Sequence, residues 1–348
     1  MPKLVVTSAS GKLGGAVLQN LLKYNLVPPH EIVVSTSSSP SSQHWDSFKA
    51  HGVQVRQASY DDPDSMQAAF AGSERLLLVS TPRIGMDFDD APYGQGREAH
   101  HFAAVQAARS AGIKHIYYTS LGFKSNSKSG VMRAHNRTED FLHMLTDTGF
   151  TIIREGLYNE SWPLYLGHFH ELPTEGRSEV VLAGDGNISW AAIDDLGLGT
   201  AMILADEPSR YSGITLSLST TNNAHSLGEI AAMVSIARGD GSQVTVKKVG
   251  RQEHERYYIE RGLEPRYIRW WAKTYDAIVD GEAENKDPTL EKLLEKHGRV
   301  PKPLEQTVFR YPNGVSLSTA LLTSTFSNSW LPMAPNSMQR GTDQALLS

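Results

Sequence analysis

LVVTSASGKLGGAV, residues 4–17, runs from an apolar stretch into a loop of small residues and on into a helical pattern. Within it Ser8, Gly11 and Gly14 stand at the spacing G-x-x-G-x-x-G, with serine in place of the first glycine. A glycine at Gly11 lets the backbone approach a pyrophosphate. Gly14 lets the next helix pack close on the sheet, with its N-terminal amides facing the anion. The context is the one the motif requires, a strand directly before it and a helix directly after. The P-loop alternative fails, because Gly11-Lys12 is followed by Leu13 and no glycine sits five residues earlier.

Outward from this turn, β-branched or Leu-rich runs alternate with helical stretches. The pattern predicts strands over 4–7, 31–35, 53–57, 75–80, 115–119 and 151–154, and helices over 14–24, 64–70, 97–111 and 134–148. Strict β-α alternation implies crossover helices, so the fold class is α/β, a Rossmann-like doubly wound parallel sheet, with residues 1–155 as the NAD(P)-binding domain. Beyond residue 155, prolines, glycines and aromatics break the alternation. Residues 156–310 read as a smaller C-terminal α/β lobe that binds substrate and contributes to the first sheet, with strands over 179–183, 189–192, 214–219 and 244–249 and helices over 196–205 and 227–237. Residues 253–273 interleave charges of both signs with Tyr257, Tyr258, Tyr267, Trp270 and Trp271, and read as a solvated helix with one aromatic face. Residues 311–348 carry almost no charge and read as a disordered tail.

The 348 residues include 33 basic and 38 acidic side chains, a net charge of −5, which offers no basic field to nucleic acid or an anionic membrane. The absence of cysteine excludes disulfides, thiolate catalysis and thiolate-bound metals. No leader-like segment opens the chain, and no apolar run approaches the roughly 20 residues that span a bilayer. The expectation is a soluble cytoplasmic protein with neither a membrane nor a nucleic-acid partner, and sequons at Asn136, Asn159 and Asn187 that are chance matches. His100 with His101, and His168 with His170, lack a third ligand, so no metal is expected, and Asp194-Asp195 reads as a helix cap.

At the end of the second strand, where a carboxylate would bind the adenosine ribose and select NAD, residues 33–43 read VVSTSSSPSSQ. Ser35, Thr36 and the serines after them can donate to a 2′-phosphate, which favours NADP, with NAD as the alternative since no arginine stands there. A polar turn without a ligand is the competing reading for any one of these serines.

Many reductases on this fold protonate an alkoxide with a tyrosine assisted by a lysine four residues later. No tyrosine in this chain has that lysine; after the fifth strand the corresponding positions are Val131 and His135. The segments VVTSASGKLGGAVL, ASYDDPDSMQAAFAGSERLLLVSTP, AAVQAARSAGIKHIYYTSL, AHNRTEDFLHMLTDTGFTIIREGLYNES, ISWAAIDDLGLGTAMIL and DPTLEKLLEKHGRVPKPLEQTV, in this order, resemble the NmrA-like family of atypical short-chain dehydrogenases/reductases, and most of all its NAD(P)H:quinone oxidoreductases. The resemblance implies NADP(H) on Ser8, Ala9, Ser10, Gly11, Lys12 and Leu13. It places Ser80, Thr81 and Pro82 at the nicotinamide side, Thr119 and Ser120 near its ribose, and Gly156, Leu157, Tyr158 and Asn159 at the substrate pocket. His135 takes the position where several relatives carry lysine. Ser8 departs from the family's usual glycine.

Hydride delivery to a simple ketone leaves a strongly basic alkoxide and needs a positioned acid. A quinone instead gives a phenolate-like anion with a pKa of roughly 10, which water can protonate. The missing Tyr-Lys pair therefore fits an oxidoreductase that acts on a quinone or conjugated aromatic carbonyl, in a setting such as specialised metabolism, with His135 steadying the oxyanion or the ribose. The alternative is a non-catalytic NAD(P)-binding redox sensor. Trp162, Trp190, Trp270 and Trp271 lean toward a flat ligand, although aromatics serve as often in cores.

Overall fold

The computed structural model describes residues 3–167 and 177–310. The tail expected over 311–348 and the pair His168 and His170 lie outside the described residues.

β1 (Leu4–Thr7) is buried along its whole length, as a strand covered on both faces must be. It leads into α1 (Lys12–Lys23), β2 (Ile32–Thr36), α2 (Asp46–Ala50), β3 (Gln54–Gln57), α3 (Pro63–Phe70), β4 (Arg75–Val79), α4 (Glu98–Ser110), β5 (His115–Leu121), α5 (Met132–His143) and β6 (Gly149–Glu155). β7 (Leu157–Tyr158), α6 (Trp162–Tyr165), β8 (Glu179–Leu182), β9 (Ile188–Ala191), α7 (Ile193–Ala205), β10 (Ile214–Leu218) and β11 (Ala224–His225) follow. α8 (Leu227–Arg238), β12 (Thr245–Lys248), α9 (Arg251–Ile259), α10 (Pro265–Val279), α11 (Thr289–Glu295) and α12 (Leu304–Val308) complete the chain described.

The main sheet has seven strands in the order β10-β6-β5-β4-β1-β2-β3, and every pairing in it is parallel. This is the doubly wound order 3-2-1-4-5-6 with one more strand beyond the sixth, and it bears out the expected fold. Alternate side chains feed two cores. Val5, Val33, Leu76, Leu78, Ile116 and Ile152 pack under α3, α4 and α5, while Leu4, Val6, Leu77 and Ile153 pack under α1, α7 and α11.

The chain thus returns from the second lobe to finish the first. A Cβ on Gly197 would lie 2.6 Å from that of Ala16, so the crossing of α7 over α1 depends on small residues at the contact. Asn20 seals it by donating to Asp194 Oδ1 at 3.1 Å. The second lobe gathers the sheets β11-β9-β7 and β12-β8 around Trp162, Trp190, Trp270, Trp271 and Tyr275.

Two local expectations need correction. Residues 253–273 do not form one helix. Gly262, at φ +89°, ends the first stretch, and Glu264 caps the second by accepting from the Tyr267 amide, with Pro265 in the first turn. The aromatic face is core, with Tyr258, Tyr267, Trp270 and Trp271 all buried. Nor do Asp194 and Asp195 cap α7. Its first amide, on Ile193, donates to Glu160 Oε2 at 3.1 Å, while the two aspartates bind Arg299 and the Lys302 amide. Among the described residues no helix is long and apolar enough to cross a membrane.

Candidate active site

The site is built along the carboxyl edge of the parallel strands, where β1, β4, β5 and β6 end. Thr7 locks the edge by donating to Leu77 O at 3.0 Å and accepting from the Val79 amide at 2.9 Å. The chain then turns at Ser8, which adopts a left-handed φ of +53° and receives the Gly11 amide on its carbonyl at 2.8 Å. Here lies the reason a glycine is usual at this place: an L-residue costs about 1–2 kcal/mol in that conformation. A Cβ on Gly14 would sit 2.5 Å from Ser8 O, and one on Gly11 would sit 3.1 Å from the same atom. Both positions are cradled by backbone, and the turn is shaped for close approach.

Gly11 caps α1 without a side-chain hydrogen bond, and no acidic residue stands in the first turn. The leading amides of α1 have no acceptor within the helix, so they and the helix dipole form a site for an anion. Ser10 and Gly11 are exposed, Ser8 and Lys12 half-buried, and Ala9 and Leu13 buried beneath them. Burial lowers the pKa of Lys12, opposed by the carboxylate of Glu160. This turn fits a dinucleotide pyrophosphate.

At the end of β2, Ser35 and Thr36 are buried, and the loop after it forms two successive turns of the same kind. Ser38 N donates to Thr36 Oγ1 at 3.2 Å, and Ser41 N to Ser39 Oγ at 3.2 Å. Lys49 closes the loop by donating to the Pro40 carbonyl, which brings a cation to a segment that carries none of its own.

At the end of β4, the Ser80 amide donates to Thr119 Oγ1 at 3.1 Å and the Thr81 amide to His101 Nε2 at 3.0 Å. Ser80 and Pro82 keep some exposure, and Thr81 is buried. Behind them Arg97 pairs with Asp87 at 2.7 Å and donates to Thr81 O at 3.3 Å and Val131 O at 2.9 Å. One guanidinium therefore joins the loop after β4 to the start of α5.

His135 lies on the first turn of α5, only 3 % exposed, with Nδ1 2.9 Å from the Tyr118 hydroxyl. Burial, then the charge of Arg97, holds its pKa well below the ordinary histidine value. His101, held down by the same causes in the same order, places Nδ1 2.8 Å from Thr138 Oγ1 and 3.3 Å from the Tyr118 hydroxyl. Ser120 turns away from this cluster and donates to Glu139 Oε1 at 2.6 Å, and Glu139 in turn pairs with Arg154.

After β6, Gly156 lies against Ser219, Leu157 is core, and Asn159 donates its Nδ2 to Lys302 O at 3.0 Å while its Oδ1 has no partner. Tyr158 is the one of these four that retains exposure. Beside it Glu155 is buried. Thr200 Oγ1 donates to its Oε1 at 2.6 Å, Oε2 has no partner, and burial pushes its pKa up to about 8.

Sequence reasoning picked out the turn, the ends of β2, β4 and β5, and His135. It missed Tyr118, His101, the Arg97–Asp87 pair, Glu155 and Lys49, whose partners lie too far along the chain for spacing to reveal them. Among the described residues no group of three or more metal-ligating side chains gathers.

Comparison with known proteins fits this geometry. The NmrA-like family matches residues 2–256. The chain is 28% identical over 320 residues to an NmrA-like family domain-containing oxidoreductase of Aspergillus flavus, spanning 88% of this chain and 94% of that protein. It is 30% identical over 293 residues to quinone oxidoreductase 2 of Escherichia coli, spanning 84% and 93%. The structure of Citrobacter sp. triphenylmethane reductase complexed with NADP(H) superposes with a TM-score of 0.69 at 29% identity, spanning 88% of this chain and 99% of that one.

Proposed function

The chain belongs to the NmrA-like family, and on that premise we propose that it is an NADPH-dependent reductase whose acceptor is a quinone or a similarly conjugated carbonyl. The observation that carries the choice of acceptor is the state of the two positions where a Tyr-Lys pair would stand. Val131 is buried and offers its carbonyl to Arg97, and His135 is buried and held neutral. Neither is an acid fit to protonate an alkoxide. A quinone that gains a hydride becomes the hydroquinone monoanion, which needs only one proton more and takes it from water. A triarylmethyl cation takes hydride at carbon and needs no proton at all, which agrees with a reductase of that class among the relatives.

The turn from Ser8 to Leu13 would hold the pyrophosphate, and the serine loop after β2, with Lys49, the adenosine phosphate. Bound there, NADPH would supply the hydride. Ser80, Pro82 and Tyr158, which keep some exposure at the ends of β4 and β6, would border the acceptor. The relatives named as oxidoreductases, one of them a quinone oxidoreductase, support the same reading.

The test is NADPH oxidation, followed by absorbance, against quinones and unactivated ketones, with binding titrations of NADP and NAD in parallel. Turnover with quinones and none with simple ketones is expected, together with tighter binding of NADP than of NAD. Tight NADPH binding with no turnover on any acceptor would identify a sensor and overturn the proposal.

A further inference from the structure

The hydrogen bonds around His101 have a direction that can be read without seeing a proton. The Thr81 backbone amide is a donor and nothing else, and it points at His101 Nε2 at 3.0 Å. His101 Nε2 must therefore be bare, the ring neutral, and its proton on Nδ1. That Nδ1–H donates to Thr138 Oγ1 at 2.8 Å, and Thr138 passes its own proton on to Ala134 O at 2.7 Å. The Tyr118 hydroxyl, 3.3 Å from the same Nδ1, meets a proton there and cannot donate to it. A buried hydroxyl needs an acceptor; the neighbouring Thr138 oxygen is already engaged by His101 and Ala134, and Tyr118 has His135 Nδ1 at 2.9 Å. His135 Nδ1 is therefore the acceptor, and the proton of its neutral ring sits on Nε2.

We propose that His101 and Tyr118 are positioning residues that fix His135 as a neutral ring protonated at Nε2, a permanent hydrogen-bond donor for the oxygen of a bound acceptor and not an acid. The two histidines hold opposite tautomers, each dictated by the loop after β4 through the Thr81 amide. Nε2 of His135 has no partner among the described residues, so its N–H is left for substrate or water. The network ends in a backbone amide at one side and a backbone carbonyl at the other, neither of which exchanges a proton in turnover, so it orients a donor without refilling one. The role toward an acceptor rests on the reductase reading, whereas the tautomers do not.

The test is nitrogen-15 NMR of the full chain with labelled histidine at pH 7, signals assigned with His101→Gln and His135→Gln. The expected result is the Nδ1–H form for His101 and the Nε2–H form for His135. Tyr118→Phe should blur the His135 signal into a mixture of tautomers and lower kcat with a quinone about tenfold, the worth of one well-made hydrogen bond, at unchanged NADPH affinity. His135 found protonated, or carrying its proton on Nδ1, overturns the inference. So does a Tyr118→Phe protein with the wild-type tautomer and kcat. If no acceptor is ever turned over while the tautomers are as stated, the reductase reading fails and the assignment of the two rings stands.

Discussion

Arg97 and Asp87 meet at 2.7 Å with each side chain only 2 % exposed. A buried pair of this kind is costly to break, because the surviving charge has no water to fall back on. Asp87→Asn and Arg97→Met should each lose about 3–5 kcal/mol of stability, measured by urea unfolding. Arg97→Lys should not restore it, since one ammonium cannot serve Asp87, Thr81 and Val131 together. A loss under about 1 kcal/mol in the first two variants would show that the pair is not the brace the geometry indicates.

At the glycine turn, the two glycines should respond differently. Gly14→Ala drives a methyl against the Ser8 backbone and is expected to destabilise the fold by about 1–3 kcal/mol. Gly11→Val should leave the fold largely intact and abolish NADPH binding, because the exposed face of the turn is where the proposed site would take the pyrophosphate. Ser8→Gly should gain about 1 kcal/mol by relieving the left-handed backbone. Thermal melts with and without NADPH separate the three, and undiminished affinity in folded Gly11→Val would remove the cofactor assignment.

His135 should leave no mark on the pH profile. Its pKa lies well below the ordinary value near 6.5, so the ring is already neutral throughout the range in which a free histidine titrates. Turnover with a quinone is expected to show no histidine limb between about pH 6 and 8. His135→Phe should cost less than the factor of about 100 that marks the loss of a general acid. A collapse of turnover beyond that, at unchanged NADPH affinity, would make His135 the acid.

Glu155 should make the protein less stable as pH rises. Its folded pKa, about 8, lies above the ordinary 4.5, so the folded state holds a proton that the unfolded chain has released between those values. Its contribution is complete below pH 4.5 and is lost as pH climbs through 8, with a slope approaching about 1.4 kcal/mol per pH unit in that window. Glu155→Gln should remove this slope, and denaturant titrations at pH 5, 6.5 and 8 on both proteins check it.

The parts of this fold that show in the sequence are those in which one short segment carries its own reason. β1, β2 and β4 are apolar runs because both their faces are covered, and the turn after β1 needs small residues at fixed spacing. The break between α9 and α10 was equally local, a glycine followed three residues later by a proline, but the run of charges and aromatics across it masks the punctuation. The buried polar groups are another matter. Arg97, Asp87 and Glu155 read as surface residues in any window, because what permits their burial is a partner 10 to 45 residues away. The position of His135 could be read, but its protonation state is set by Tyr118 and, through His101, by Thr81.

The helix that carries the anion turn has its inner brace far downstream. α1 comes from the first 23 residues, yet the glycine it leans on, Gly197, belongs to α7, and the sheet edge at β6 stays open until β10 arrives at residues 214–218. On a ribosome, the nascent chain exposes Val17, Leu18 and Leu21 and an unpaired strand edge for most of its synthesis, the interval in which chaperones or misassembly compete with folding. Competence to hold a dinucleotide is therefore a late event in the life of the chain, and a fragment that stops at residue 155 carries the turn without the scaffold that holds it.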